Sequence, residues 1–141
     1  MRILLVALSL LFINSVQEKS TWKTLAKVTI EKKFDELMNF EIDYPTFSEE
    51  VKALDGKEIS LEGWMIPLDE LRGENYFVLS ALPFANCFFC GGAGPETVVE
   101  VFTTEGFDFT EDRVKVTGTL SLNADDPSRL MYVMSKAEVT D

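Results

Sequence analysis

The chain has 141 residues, 24 acidic against 13 basic, with two cysteines and no histidine. Without an imidazole there can be no Ser-His-Asp triad, Cys-His pair or H-E-x-x-H zinc site. A formal charge of −11 repels phosphate backbones, whose neutralisation carries most nucleic-acid affinity; it suits cations, basic partners or plain solubility.

The first residues, "MRILLVALSLLFINSVQ", have the layout of a secretory signal. Arg2 leads into an apolar run from Ile3 to Leu8 that resumes from Leu10 to Ile13, and polar and small residues follow. The run is shorter than the roughly 18–20 residues a bilayer span needs. Residues 1–17 are therefore expected to be a cleaved signal peptide, the alternative being an uncleaved anchor. An exported protein is predicted, periplasmic or secreted, with no transmembrane span after cleavage. No cysteine lies near this segment, which excludes a lipid-anchored N-terminal cysteine. The remaining length suits one domain with one core.

Residues 18–55 read as a helical or irregular leading segment. Thr21 is placed to cap a short helix with Trp22, Leu25 and Val28 on one face. Thr46 and Glu49 make a capping-box spacing. Phe47, Val51 and Leu54 would then face inward, with Pro45 breaking the chain before the helix and Asp55-Gly56 ending it.

From residue 56 to 141 the hydrophobic period becomes two, the spacing of a strand with one buried face. "KEISLEGWMIP" sets Ile59, Leu61, Gly63 and Met65 on one side and closes on Pro67. "NYFVLSALP" and the valine-rich "TVVEVFTT" follow. "RVKVTGTLSL" alternates Val114, Val116, Gly118 and Leu120 with polar residues, and "RLMYVMSKAEV" is last. Five such strands predict a mainly β (α+β) fold: a five-stranded OB-like barrel behind a short helical N-terminal segment. Gly63 and Gly118 fit crowded bends of tightly coiled barrel strands. A β-sandwich of another topology is the alternative.

The stretches "LDGKEISLEGWMIPL", "LSALPFANCFFCGGAGPETVVEV" and "RVKVTGTLSL" resemble an uncharacterised family of exported bacterial proteins. That family carries a lysine-glycine-type first strand ending in proline, a P-x-x-x-x-C segment, a Pro- or Gly-rich loop and a valine-rich strand. The resemblance covers roughly residues 54–139 and implies an OB-like barrel and export. Many relatives read Cys-x-His followed by prolines and an Asn-Gln pair. In this chain Phe89 stands at the histidine position, Cys90 follows, and Gly-Gly-Ala-Gly-Pro-Glu replaces the prolines.

The chemistry concentrates in "CFFCGGAGPE", residues 87–96. Three uses are open. Export favours a disulfide between Cys87 and Cys90, a weak staple because the loop it closes is short. Cys-x-x-Cys-Gly is also the shape of a metal knuckle, with Cys87, Cys90 and Glu96 as candidate ligands for zinc or, with two thiolates alone, copper(I). Glu96 reads first as the polar residue at the start of the strand that begins at Thr97, with a ligand role as the other reading. A redox couple with Cys87 as attacking thiol is the third use, opposed by glycines that discourage the helix such a site needs. Phe84, Asn86, Phe88, Phe89, Gly91, Gly92, Gly94 and Pro95 form the surrounding candidate binding loop; the phenylalanines could equally bury at the barrel mouth. The carboxylate pairs Asp69-Glu70 and Asp125-Asp126 read as solvated faces. The expectation is an exported, non-enzymatic OB-like binding module whose cysteine loop is a disulfide or a soft-metal (Zn or Cu) site. Its partners would be a metal ion or another envelope protein, and no nucleic acid. The alternatives are an envelope thiol–disulfide redox protein and an acidic interaction scaffold with a structural disulfide.

Overall fold

The computed structural model describes residues 18–66 and 73–140. The predicted signal peptide, Pro67, Asp69 and Glu70 lie outside the described residues. Helix α1 spans Glu18–Leu25, strands β1 and β2 span Val28–Asp35 and Phe40–Phe47, and the one-turn helix α2 spans Glu49–Lys52. Strands β3 (Glu58–Ile66), β4 (Tyr76–Ser80), β5 (Val98–Thr103), β6 (Val114–Leu122) and β7 (Tyr132–Thr140) follow.

These last five close into a barrel in the order β3-β4-β5-β7-β6, with β6 pairing back onto β3. Strands β5 and β7 run parallel, Glu100 beside Val133 and Val101 beside Met134; the other pairs are antiparallel. This is the mixed Greek-key closure of an OB-like barrel, and closure leaves these strands no free edge. Between β5 and β6 the chain runs without helix or strand from 104 to 113, and Phe107 packs edge-on against Phe77 with ring centroids 4.6 Å apart.

The expected alternation fills the barrel. Ile59, Leu61, Met65, Phe77, Leu79, Val99, Val101, Val114, Val116, Leu120, Tyr132 and Met134 all belong to one buried cluster. Each fully buried aliphatic or aromatic side chain contributes about 1.5–3 kcal/mol by leaving water. Gly63 and Gly118 sit where strands approach too closely for a side chain. A Cβ on Gly63 would overlap the Ser80 carbonyl; one on Gly118 would lie 2.7 Å from Met134 Cγ and 2.9 Å from the Ser135 carbonyl oxygen. Gly118 also falls inside a register shift of the β6–β7 ladder, the kind of irregularity that bends a barrel strand.

The leading segment departs from expectation. Residues 28–47 are neither helical nor irregular but form an antiparallel hairpin paired along its full length, Val28 opposite Phe47 through Asp35 opposite Phe40. Val28 thus belongs to a strand rather than to the α1 face, and Thr21 is buried inside α1 instead of capping it. The cap of α2 is Ser48, whose Oγ accepts the Val51 N–H at 3.3 Å, while Thr46 and Pro45 lie within β2. The hairpin wins because alternate residues Val28, Ile30 and Phe47 reach the barrel core from its base, a gain that local helix signals cannot match. Leu25 and Val51 are completely buried against the same core. Trp22 Nε1 donates to the Glu62 carbonyl at 2.8 Å, and Tyr132 Oη donates to the Leu25 carbonyl at 2.6 Å. The two helices and the hairpin base are thereby tied to the barrel.

Candidate functional site, the cysteine loop

The loop from 81 to 97 joins β4 to β5 and is built from three tight 3-10 turns, Phe84–Asn86, Phe88–Cys90 and Pro95–Thr97. Ala81 N–H bonds to the Thr97 carbonyl at 2.9 Å and closes its neck. Within it Cys87 N–H reaches the Phe84 carbonyl at 3.3 Å, Cys90 N–H the Cys87 carbonyl at 3.1 Å and Gly91 N–H the Phe88 carbonyl at 3.0 Å. Gly91 adopts φ 77°, a left-handed conformation that glycine enters without steric penalty.

Cys87 is completely buried in a second apolar cluster with Ile66, Val78 and Val98, flanked by Tyr76, Phe88 and Leu130. Val78 and Val98 are the strand neighbours of the inward-facing Phe77, Leu79 and Val99 and so point to the opposite face. The loop therefore folds back over the outside of β4 and β5 rather than sitting at the barrel mouth, as the phenylalanines had suggested. That outer face corresponds to the second and third strands of an OB barrel, the surface such folds use for ligands; in this chain the loop itself covers part of it.

The two sulfurs lie 3.9 Å apart, unbonded, with Cys90 exposed. Cys90 Sγ donates to the Phe84 carbonyl at 3.2 Å. The Cys90 thiol has a pKa raised above its ordinary value: desolvation leads, followed by the hydrogen bond with Cys87 and the Cys87 charge. Although the residue is exposed, its sulfur is turned onto the loop backbone, and the thiol form is the one that can make the bond to Phe84. Such a sulfur is a poor nucleophile near neutrality.

Of the predicted ligands, the structure brings Cys87 and Cys90 together and sets Glu96 apart. The Glu96 carboxylate folds over Gly94, where an added Cβ would overlap it. Its charge acts on Tyr132, whose pKa is raised first by burial and then by Glu96. Among the described residues no group of three or more Cys, Asp or Glu side chains is arranged to hold a metal ion. The predicted three-ligand set is therefore not assembled. Gly92 N–H bonds to the Cys87 carbonyl at 3.2 Å, so this turn points a donor at a carbonyl where a metal knuckle would point it at a sulfur. Of the candidate binding loop, Phe84 and Phe89 are exposed, as is Asn86, while Phe88, Gly94 and Pro95 are half-buried.

Sequence reasoning missed Glu100. It is 2% exposed on the same outer face. Oε1 accepts the Tyr76 hydroxyl at 3.1 Å, and Arg129 Nε lies 3.3 Å from Oε2. Arg129 in turn stacks over Phe102, 5.1 Å from guanidinium carbon to ring centroid. A buried carboxylate is tolerated when it is paired and hydrogen-bonded in this way. The available signal was a single acid inside the apolar run "TVVEVF". The pair ties the 123–131 loop to β5 beside the cysteine loop. No family model, no curated protein and no solved structure matches this chain.

Proposed function

We propose that the protein is an exported, non-enzymatic OB-like binding module in which Cys87 and Cys90 close as a disulfide and fix the loop over the β4–β5 face. The observation that carries this reading is the sulfur separation of 3.9 Å in a loop otherwise held by backbone hydrogen bonds. Closing the bond brings the sulfurs from 3.9 Å to about 2 Å and gives up the Cys90 Sγ hydrogen bond to the Phe84 carbonyl. The two thiols give up two protons and two electrons to an incoming disulfide of an oxidising compartment, which leaves as two thiols. Closing so short a loop contributes about 2 kcal/mol, so the bond serves the shape of the loop more than global stability. The raised pKa of Cys90 and the burial of Cys87 support a structural pair over an attacking thiol.

A soft ion is the second reading, favoured by the same spacing: two thiolates on one tetrahedral zinc stand about 3.8 Å apart. Its remaining donors would come from water or from another copy of the chain. Thiol titration and elemental analysis of protein taken from its native compartment test both. No free thiol before reductant supports the disulfide. Two thiols masked by stoichiometric copper or zinc support the ion. Two freely titrating thiols and no metal refute both readings.

A further inference from the structure

Between the hairpin and the 123–131 loop lies a groove of about 290 Å³. One wall is made by residues 40–45 of β2 with Ile30 and Lys32 of β1, the opposite wall by residues 123–127 and 129–131, and Phe88 and Pro95 of the cysteine loop contribute to its lining. Six consecutive residues of one strand line this groove. Successive side chains of a strand point to opposite faces, so odd and even positions of β2 together bring its edge to the groove, beside the hairpin face that carries Ile30 and Lys32. That edge is open: β2 pairs with β1 in a two-stranded sheet. Among the described residues no backbone hydrogen bond from another element reaches residues 41–45. Pro45 sits within β2, as edge strands tolerate.

The groove has a marked chemical bias. Phe40 and Leu130 supply apolar surface, while Ile42 and Met131 in the lining are themselves buried. Glu41, Asp43, Asp125 and Asp126 supply acid, against Lys32 and Arg129 as the basic lining residues. Lys32 faces Asp43 at 3.8 Å, and Arg129 is directed at Glu100. The lining is left net acidic, as is the chain. Beyond Phe40 the hairpin turn exposes Leu37 and Met38, so apolar surface continues out of the groove.

We propose that an extended basic peptide docks in this groove as a third strand beside β2. Main-chain hydrogen bonds to the free edge would supply affinity, and alternate side chains would supply selectivity. Apolar residues of the peptide face Phe40 and Leu130; basic residues face Glu41 and Asp125. The volume fits one or two anchoring side chains and falls just below the range of small-molecule sites. The proposal goes beyond the cysteine reading and stands whether or not the sulfurs pair.

Fluorescence anisotropy of labelled Arg-Val-Arg-Val-Arg-Val with the purified chain tests it, at physiological salt. The comparison peptides are Glu-Val-Glu-Val-Glu-Val and the basic peptide methylated at alternate amide nitrogens, which keeps its charge and removes its strand-pairing donors. Saturable binding of the basic peptide is expected, weakened about tenfold or more by N-methylation and to a similar degree by Glu41→Lys with Asp125→Lys. Both positions are exposed, so the circular dichroism of that variant should match the parent. Hydrogen exchange at the amides of residues 42–44 should slow on binding. Absence of binding, or equal binding of the methylated peptide, overturns the proposal; the latter reduces the effect to charge alone. Protection of the 42–44 amides by self-association of the chain, without peptide, overturns it in favour of a second copy as the occupant.

Discussion

The barrel and the hairpin are both antiparallel-rich β-structure, yet they are stabilised in opposite ways. In the barrel every strand has two partners, and inward positions such as Leu61, Leu79, Val99 and Leu120 are completely buried. In the hairpin each strand has one partner, and the outer half exposes Phe34, Leu37, Met38 and Phe40. A two-stranded ribbon is barely stable alone. It persists here because its base, through Val28, Ile30 and Phe47, joins the barrel core. The lesson is that strand pattern alone does not say whether a strand is sealed: closure removes the edges of one region, while the other keeps an open edge and an exposed apolar tip.

The largest expected break in this contrast is Leu61→Ala. A cavity in the closed barrel should cost about 2–5 kcal/mol, read as a lowered urea midpoint with an unchanged slope. Gly63→Ala comes next. Its Cβ would meet the Ser80 carbonyl, and backbone must move to admit it. A loss of about 1–3 kcal/mol is expected, with faster amide exchange along the β3–β4 pair.

Tyr132→Phe sharpens the join between the regions. It removes the hydrogen bond to the Leu25 carbonyl, worth about 1 kcal/mol, and should raise exchange in α1. The pH dependence follows from the raised Tyr132 pKa, caused by burial first and Glu96 second. The unfolded tyrosine loses its proton near pH 10, while the folded one keeps it to higher pH. Its contribution is therefore complete below about pH 10 and is lost as pH rises from there toward the folded pKa. Thermal melts of the parent should show this extra alkaline loss, and melts of Tyr132→Phe should not. The smallest effect belongs to the tip: Leu37→Ser, at a side chain 98% exposed, should change stability by less than about 0.5 kcal/mol in denaturant melts. A large loss there would show that the tip is packed, and the contrast between the regions would fail.

The five barrel strands were legible because each alternates with period two, and Gly63 and Gly118 were legible because a crowded bend admits no Cβ. The hairpin was not. "EKKFDELMNFE" carries the charge and spacing of a helix, and its strand state depends on Val28, Ile30 and Phe47 finding a core formed by residues beyond position 58. The cysteine turn was legible as a turn from Gly91, which takes the left-handed conformation. Its position was not, since the same ten residues could have lain over the barrel mouth.

Local periodicity and backbone sterics thus determined from the sequence alone that five strands form and that Cys87 and Cys90 fall in one tight turn, because both depend on neighbours within a few residues; that the strands close as a barrel and not as a sandwich was decided by the pairing of β6 onto β3. The tertiary structure decided that Cys87 is buried and Cys90 exposed, that the Glu96 carboxylate folds over Gly94 and forms no three-ligand group with the sulfurs, that Glu100 is buried against Arg129, and that β2 keeps an open edge. Each of these depends on which distant surfaces meet, and that is settled only when the barrel closes and its outer face is shared among the loops and the hairpin.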